Sequence, residues 1–337
     1  MLPASGTGGA ASVIPGKTGA GGTPSTLGPS LGGAAGLGGG AAGGGSLGQA
    51  GGGGPTGGTG AGMAGVGGGA GTGGGAGAGA VGMGMCCSSG DCLCHGPAPT
   101  GLTSKAGPFK TAMYTISTGT VYYPMDADPP WAAIAIIPGF LNTGPEMAPW
   151  GPFYASYGFV LETTSSGAAD TPDIRAASLL AAVKELKGEN TKMGSPLFGK
   201  LSDRYGTSGY SMGGGGTTMA ASMDSTLKTS IGLAAWGGTG TGTMVPTLLF
   251  CGDADTVAPC DMSDPVYMAI PDATPKMEIV VPGATHFNWF DPTDAGGGMS
   301  GDYALAFEKV YLEGDERWKP LLLMPPSGGG KQTTNIK

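Results

Sequence analysis

GYSMGGGG, residues 209–216, sets a serine between two glycines in the pattern G-x-S-x-G. With 72 glycines in 337 residues, such a match arises easily by chance, so its flanks must decide what it means. Before it, residues 204–208 read as a short strand, and after it TTMAASM, residues 217–223, continues as a helix. Strand, sharp turn and helix are the setting in which a serine in this pattern is pushed into the open as a nucleophile. Glycines at 209 and 213 let two stretches of backbone pass close together there.

Working outward, the same strand and helix rhythm recurs. WAAIAII, 131–137, is a continuous apolar run closed by Pro138-Gly139, as expected of a strand covered on both faces. GFVLETT, 158–164, reads as the next strand, with a helix around Trp150 and Tyr154 between the two. Asp170 or Thr171 caps a helix that has Pro172 in its first turn. Its apolar stripe is Ala176, Leu179, Leu180, Val183 and Leu186, and Gly188 stops it. TSIGLAAW (229–236), VPTLLFCG (245–252) and MEIVV (277–281) follow as strands, and a last helix spans about 302–312. This alternation predicts an α/β fold with a mostly parallel central sheet flanked by helices, whose ligands bind beyond the carboxyl ends of the strands.

Composition divides the chain. Residues 1–85 are mainly Gly, Ala, Ser, Thr and Pro, with no aromatic residue and Lys17 as the only charge. They cannot bury enough apolar surface to offset backbone ordering, and read as a disordered linker. Residues 86–105 form a Cys-rich connector, 106–322 the folded domain, and 323–337 a flexible tail. A net charge of −8 argues against nucleic acid. No apolar run of about 18 residues suggests a membrane span. The N-terminus shows no basic stretch followed by an apolar one, so no signal peptide is read in the chain as given. The Gly-rich arm nevertheless favours a secreted or surface-tethered protein, expected to be monomeric.

CCSSGDCLCHG holds Cys86, Cys87, Cys92, Cys94 and His95, and Cys251 and Cys260 form a second pair. The spacing matches no zinc knuckle, and an even count in an exported chain points first to disulfides, with metal ligation as the alternative. A bridge from Cys251 to Cys260 would flank Asp255, provided that their Cα atoms lie within about 7 Å.

A serine hydroxyl needs a base within hydrogen-bond reach. The chain has two histidines, and His95 lies upstream of the predicted domain, which leaves His286 in GATHFNWF. A carboxylate must then orient the imidazole. CGDADTVAP offers Asp253 and Asp255 in the order serine, aspartate, histidine, and spacing does not choose between them.

From about Tyr114 to Leu322 the chain resembles the bacterial cutinase and polyester hydrolase family of the α/β-hydrolase fold, which includes the PET hydrolases. The matching stretches are IIPGF, ASYGFVLETT, DTPDIRAASL, GYSMGGGGTT, VPTLLFCGDADTVAP, PGATHF and YALAFEKVYLEGDERW. The resemblance implies Asp255 as the triad acid beside Ser211 and His286. It also implies the main-chain N–H groups of Phe140 and Met212 as the oxyanion hole, and Tyr210, Trp236, Val257 and Phe287 as the substrate cleft. For Trp236, and equally for Tyr210, Val257 and Phe287, the alternative is ordinary packing. The short stretch from Trp236 to Asp255, filled by GGTGTGT, leaves no room for a helical lid. Calcium-binding acids of some relatives are not reproduced: Asp253 matches one, but Pro282 stands where another would be, so no metal and no cofactor are expected. The implied activity is that of a serine esterase acting on an ester or polyester substrate. Its rivals are a small-molecule carboxylesterase or acetylhydrolase with the same triad, and a catalytically inactive surface-binding protein.

Overall fold

The computed structural model describes residues 86, 87, 90 and 92–337, so the linker expected over residues 1–85 lies outside the described residues. WAAIAII forms strand β3 (Trp131–Ile137), and every residue in it is buried. Its side chains alternate between two cores: Ile134 and Ile136 enter one, Ala133, Ala135 and Ile137 the other. Period-2 alternation with both sets apolar is what a strand under helices on each face requires.

Around it a nine-stranded sheet assembles. β1 (Thr111–Thr115) and β2 (Gly119–Pro124) make an antiparallel hairpin, and β2 pairs antiparallel with β4 (Val160–Thr164). β4, β3, β5 (Leu201–Tyr210), β6 (Thr229–Leu233), β7 (Thr247–Gly252) and β8 (Lys276–Val281) then run parallel to one another. β9 (Lys331–Thr334) closes the far edge antiparallel to β8. The strand order is β1-β2-β4-β3-β5-β6-β7-β8-β9.

Helices α2 (Pro172–Glu189) and α3 (Met212–Met223) cover one face with Ala176, Leu179, Val183 and Ala220. On the same side, α4 (Cys260–Ala269) packs Val266 and Tyr267 on Leu249. The opposite face takes α1 (Trp150–Ala155) and α5 (Met299–Glu308), which bring Trp150, Tyr154, Tyr303 and Phe307 against Leu161, Ile134 and Phe250. A short α6 (Lys319–Leu322) follows.

Three expectations need correcting, and one element carries no sequence signal. The strand entering the serine turn is ten residues long rather than the weak element read at 204–208. The last long helix begins at Met299 and ends at Glu308, where Lys309–Glu313 widens into a π-helical turn instead of continuing to 312. Residues 323–337 are not simply a tail, because β9 lies within them and Asn335 bonds the main chain at Lys276, Asp272 and Thr274. The β1–β2 hairpin was not anticipated, because its strands are only partly buried and show no apolar run.

The connector is also more than a spacer. Cys86 bonds Cys94 and Cys87 bonds Cys92. The segment is tied to the domain by hydrogen bonds from Leu93 N to Glu313 O and from Glu316 N to Cys86 O. The third disulfide joins Cys251 to Cys260 with Cα atoms 5.2 Å apart, inside the limit for bridging.

Candidate active site

β5 ends at Tyr210 and α3 begins at Met212, leaving Ser211 alone at the corner with φ 54° and ψ −119°. That conformation is strained for a residue with a β-carbon and marks a backbone held by its surroundings. The holding groups are visible: Ser211 N donates to Leu233 O at 2.9 Å, and Trp236 N donates to Ser211 O at 2.8 Å. The flanking glycines are obligatory. A β-carbon at Gly209 would lie 2.1 Å from Gly213 O, and one at Gly213 would lie 2.5 Å from the carbonyl oxygens of Ile137 and Pro138.

His286 emerges after β8 at the same edge of the sheet. Its Nε2 is 2.9 Å from Ser211 Oγ, and its Nδ1 is 2.7 Å from Asp255 Oδ2. The other carboxylate oxygen of Asp255 accepts from Val257 N at 2.7 Å and Ala258 N at 2.8 Å, so both of its oxygens are engaged. Asp253 is used differently: its Oδ1 accepts from Gly283 N, bracing the loop after β8. All three of Ser211, Asp255 and His286 are at least nine-tenths buried, which strengthens their mutual electrostatics by excluding water.

The β3-end loop completes the corner. A β-carbon on Gly139 would come within 2.7 Å of Ser211 Cβ and 3.3 Å of its Oγ. The next N–H along, that of Phe140, has no protein acceptor among the described residues, and neither has that of Met212. Two free donors beside a serine hydroxyl form a place where negative charge on oxygen is stabilised.

A cleft of about 500 Å³ opens over Ser211. Of the residues expected at the site, Phe140, Tyr210, Ser211, Met212, Trp236, Val257, His286 and Phe287 all line it, with Asp255 behind His286. Phe287 is 67% exposed, and Phe140, Val257 and Trp236 are also solvent-exposed. Trp236 is therefore not a core residue, unlike Trp150 and Trp289. Tyr210 is the exception in character, being 2% exposed and packed between His286 and Phe290. Burial, helped by the Asp255 charge, pushes its phenol well above the ordinary tyrosine value.

Two cleft residues went unread in the sequence: Leu141 and Asn142. Leu141 is 66% exposed and has φ 62°, a left-handed conformation that leucine rarely adopts. No residue type signals that conformation, because glycine or asparagine is its usual marker. Among the described residues, only Cys86, Cys92 and Cys94 gather three potential metal ligands, and each of these cysteines is in a disulfide.

Comparison with known proteins points to one family. Residues 88–336 match the PET hydrolase-like family. The chain is 33% identical over 246 residues to a bis(hydroxyethyl) terephthalate hydrolase of Streptomyces coelicolor, covering 68% of this chain and 77% of that protein. It is 33% identical over 249 residues to cutinase 1 of Thermobifida cellulosilytica, covering 69% and 92%. With cutinase est1 of Thermobifida alba it shares 34% identity over 251 residues, covering 69% and 81%. A match over this length, joined to a strained serine with a histidine at its hydroxyl, places the chain in the PET hydrolase-like family.

Proposed function

We propose that the protein is a serine esterase of the α/β-hydrolase fold that cleaves carboxylic ester bonds in polyesters through an acyl-enzyme. One observation carries the reading: His286 bridges Ser211 Oγ and Asp255 in a single hydrogen-bonded line. Nε2 of neutral His286 takes the hydroxyl proton as Ser211 Oγ attacks the ester carbonyl, and Asp255 holds the imidazole in the tautomer that leaves Nε2 free. The oxyanion is received by the N–H groups of Phe140 and Met212. His286 then gives its proton to the departing alcohol. Water, deprotonated by the same imidazole, attacks the acyl-enzyme and releases the acid, and the proton returns to Ser211.

The polymer assignment rests on the shape of the site and on the relatives. Among the described residues no helix lies between β6 and β7, which supports a cleft without a lid, and Phe140, Leu141, Val257 and Phe287 present apolar surface to solvent. Relatives named as cutinases and as a bis(hydroxyethyl) terephthalate hydrolase act on esters by their names, which supports the same bond type here. We assign the catalytic body to residues 106–322 and a tethering role to 1–85. Three disulfides support an exported protein.

Ser211→Ala assayed on a short p-nitrophenyl ester is the direct test. We expect a fall of at least about 10³-fold, and activity persisting above a few per cent would defeat the assignment. Release of soluble acid from a polyester film, compared with the rate on that ester, separates a polyesterase from a small-molecule carboxylesterase.

A further inference from the structure

Arg175, in the first turn of α2, is fully buried, yet it enters no ion pair among the described residues. Burial of a guanidinium without a bonded carboxylate is unfavourable, so its hydrogen bonds must offset that cost, helped by the nearby Asp170 charge. All its acceptors are main-chain carbonyls. Nη1 donates to Pro138 O at 3.0 Å and Nε to Asp170 O at 3.0 Å, while Nη2 reaches Ala168 O at 3.2 Å and Gly167 O at 3.3 Å. The turn that supplies three of these carbonyls is closed by Asp170, whose Oδ2 accepts from Gly167 N at 2.6 Å. Ala168 O also accepts from Leu141 N at 2.8 Å.

The bonds converge on one peptide. The group between Gly139 and Phe140 carries an N–H that points to no protein acceptor. The peptide before it is fixed through Pro138 O by Arg175, and the peptide after it is fixed through Leu141 N by Ala168 O, itself held by Arg175. The planar fork of a guanidinium reaches several fixed oxygens at once, which a lysine ammonium on a flexible stem cannot do. We infer that Arg175 and the 167–170 turn form a clamp that aims the Phe140 N–H at the oxyanion, making Arg175 a positioning residue for the reaction. This rests on the esterase reading above. Leu141, which makes that bond to Ala168 O, also holds the left-handed backbone noted above, with φ 62°.

The test compares an activated oxo ester with its thiono analogue, in which sulfur is a poor and oversized hydrogen-bond acceptor and gains little from the donors. In Arg175→Lys we expect kcat/KM on the oxo ester to fall by about 10- to 100-fold, the scale of a displaced oxyanion donor. The fall should lie in kcat, with KM nearly kept, and the thiono ester should lose much less, so the oxo-to-thiono ratio collapses. An equal loss on both esters, or no loss, overturns the clamp. Should Arg175→Lys fail to fold, Asp170→Ala decides. It loosens the turn from its solvent side and should lower the same ratio by about threefold or more, and an unchanged ratio overturns the clamp. Wild-type protein that hydrolyses neither ester sinks the esterase reading itself. An active wild type whose ratio survives these changes sinks only the clamp.

Discussion

His286 and His95 each place Nδ1 2.7 Å from a buried carboxylate oxygen, Asp255 Oδ2 in one case and Glu313 Oε1 in the other. They differ at the second nitrogen. His286 Nε2 meets a serine hydroxyl that can give up a proton, whereas His95 Nε2–H donates to the main-chain oxygen of Asp128 at 2.8 Å and can take nothing from it. The surroundings differ as well. His286 lines the open cleft, while Glu313 also binds Lys309 Nζ at 2.8 Å, and Lys309 donates on to His95 O and Tyr157 O. Burial pulls the Lys309 ammonium below its ordinary pKa, and Glu313 works against that. On the reading proposed above, the same imidazole and carboxylate geometry is thus a fastener at one place and a proton relay at the other. The third partner decides which.

Matched substitutions should separate the two. Asp255→Asn leaves the carbon frame in place but favours the wrong tautomer of His286, and should cut kcat by about 10⁴-fold with little change in KM. Glu313→Gln should leave kcat within about twofold, since no reacting group is near; steady-state kinetics on a p-nitrophenyl ester reads both. A comparable loss of kcat in Glu313→Gln would erase the distinction. Next in size, His95→Ala should lower thermal stability by about 3 kcal/mol, or roughly 5–10 °C in Tm, by breaking a buried pair that fastens the disulfide-bonded segment. Calorimetry showing no shift would mean that the segment adds nothing to the fold.

The smallest expected effect concerns pH. Among the described residues neither carboxylate oxygen of Glu162, in β4, has a partner in hydrogen-bond geometry, and burial, outweighing the nearby Thr118 hydroxyl, raises its pKa from 4.5 to about 7. The folded chain therefore binds more protons than the unfolded one between those values, and stability declines as pH rises through that window. Buried Glu308, raised to about 8, and Glu278, raised to about 7, act in the same direction. Glu162→Gln should add about 1–2 kcal/mol at pH 8 and almost nothing at pH 4. Thermal melts at the two pH values check this, and an equal gain at both would assign the effect to packing instead.

What was legible in the sequence was local. The serine corner announces itself because two glycines and a following helix are consecutive in the chain, and WAAIAII because burial on both faces removes every polar residue. The aspartate remained ambiguous on spacing, since 253 and 255 both sit at a strand end. Their partners separate them in the fold, Gly283 N for one and His286 for the other. Features closed by distant contacts were silent. His95 meets Glu313 across 218 positions, and Arg175 reaches Pro138 across 37. Neither residue type at its position differs from a solvated surface group in one dimension. β9 was missed for a related reason: KQTT has no apolar alternation, because a rim strand needs only main-chain partners.

That rim strand guards its neighbour. Lys331 to Thr334 occupies the open side of β8, whose other side is registered with the strand that leads to Asp255. Proteolytic nicking just after Met324 would strip this cover and bare an unpaired ribbon of amides and carbonyls to any second copy in solution. Clumping of trimmed material would then set in before the pocket beyond the carboxyl ends of those strands was lost.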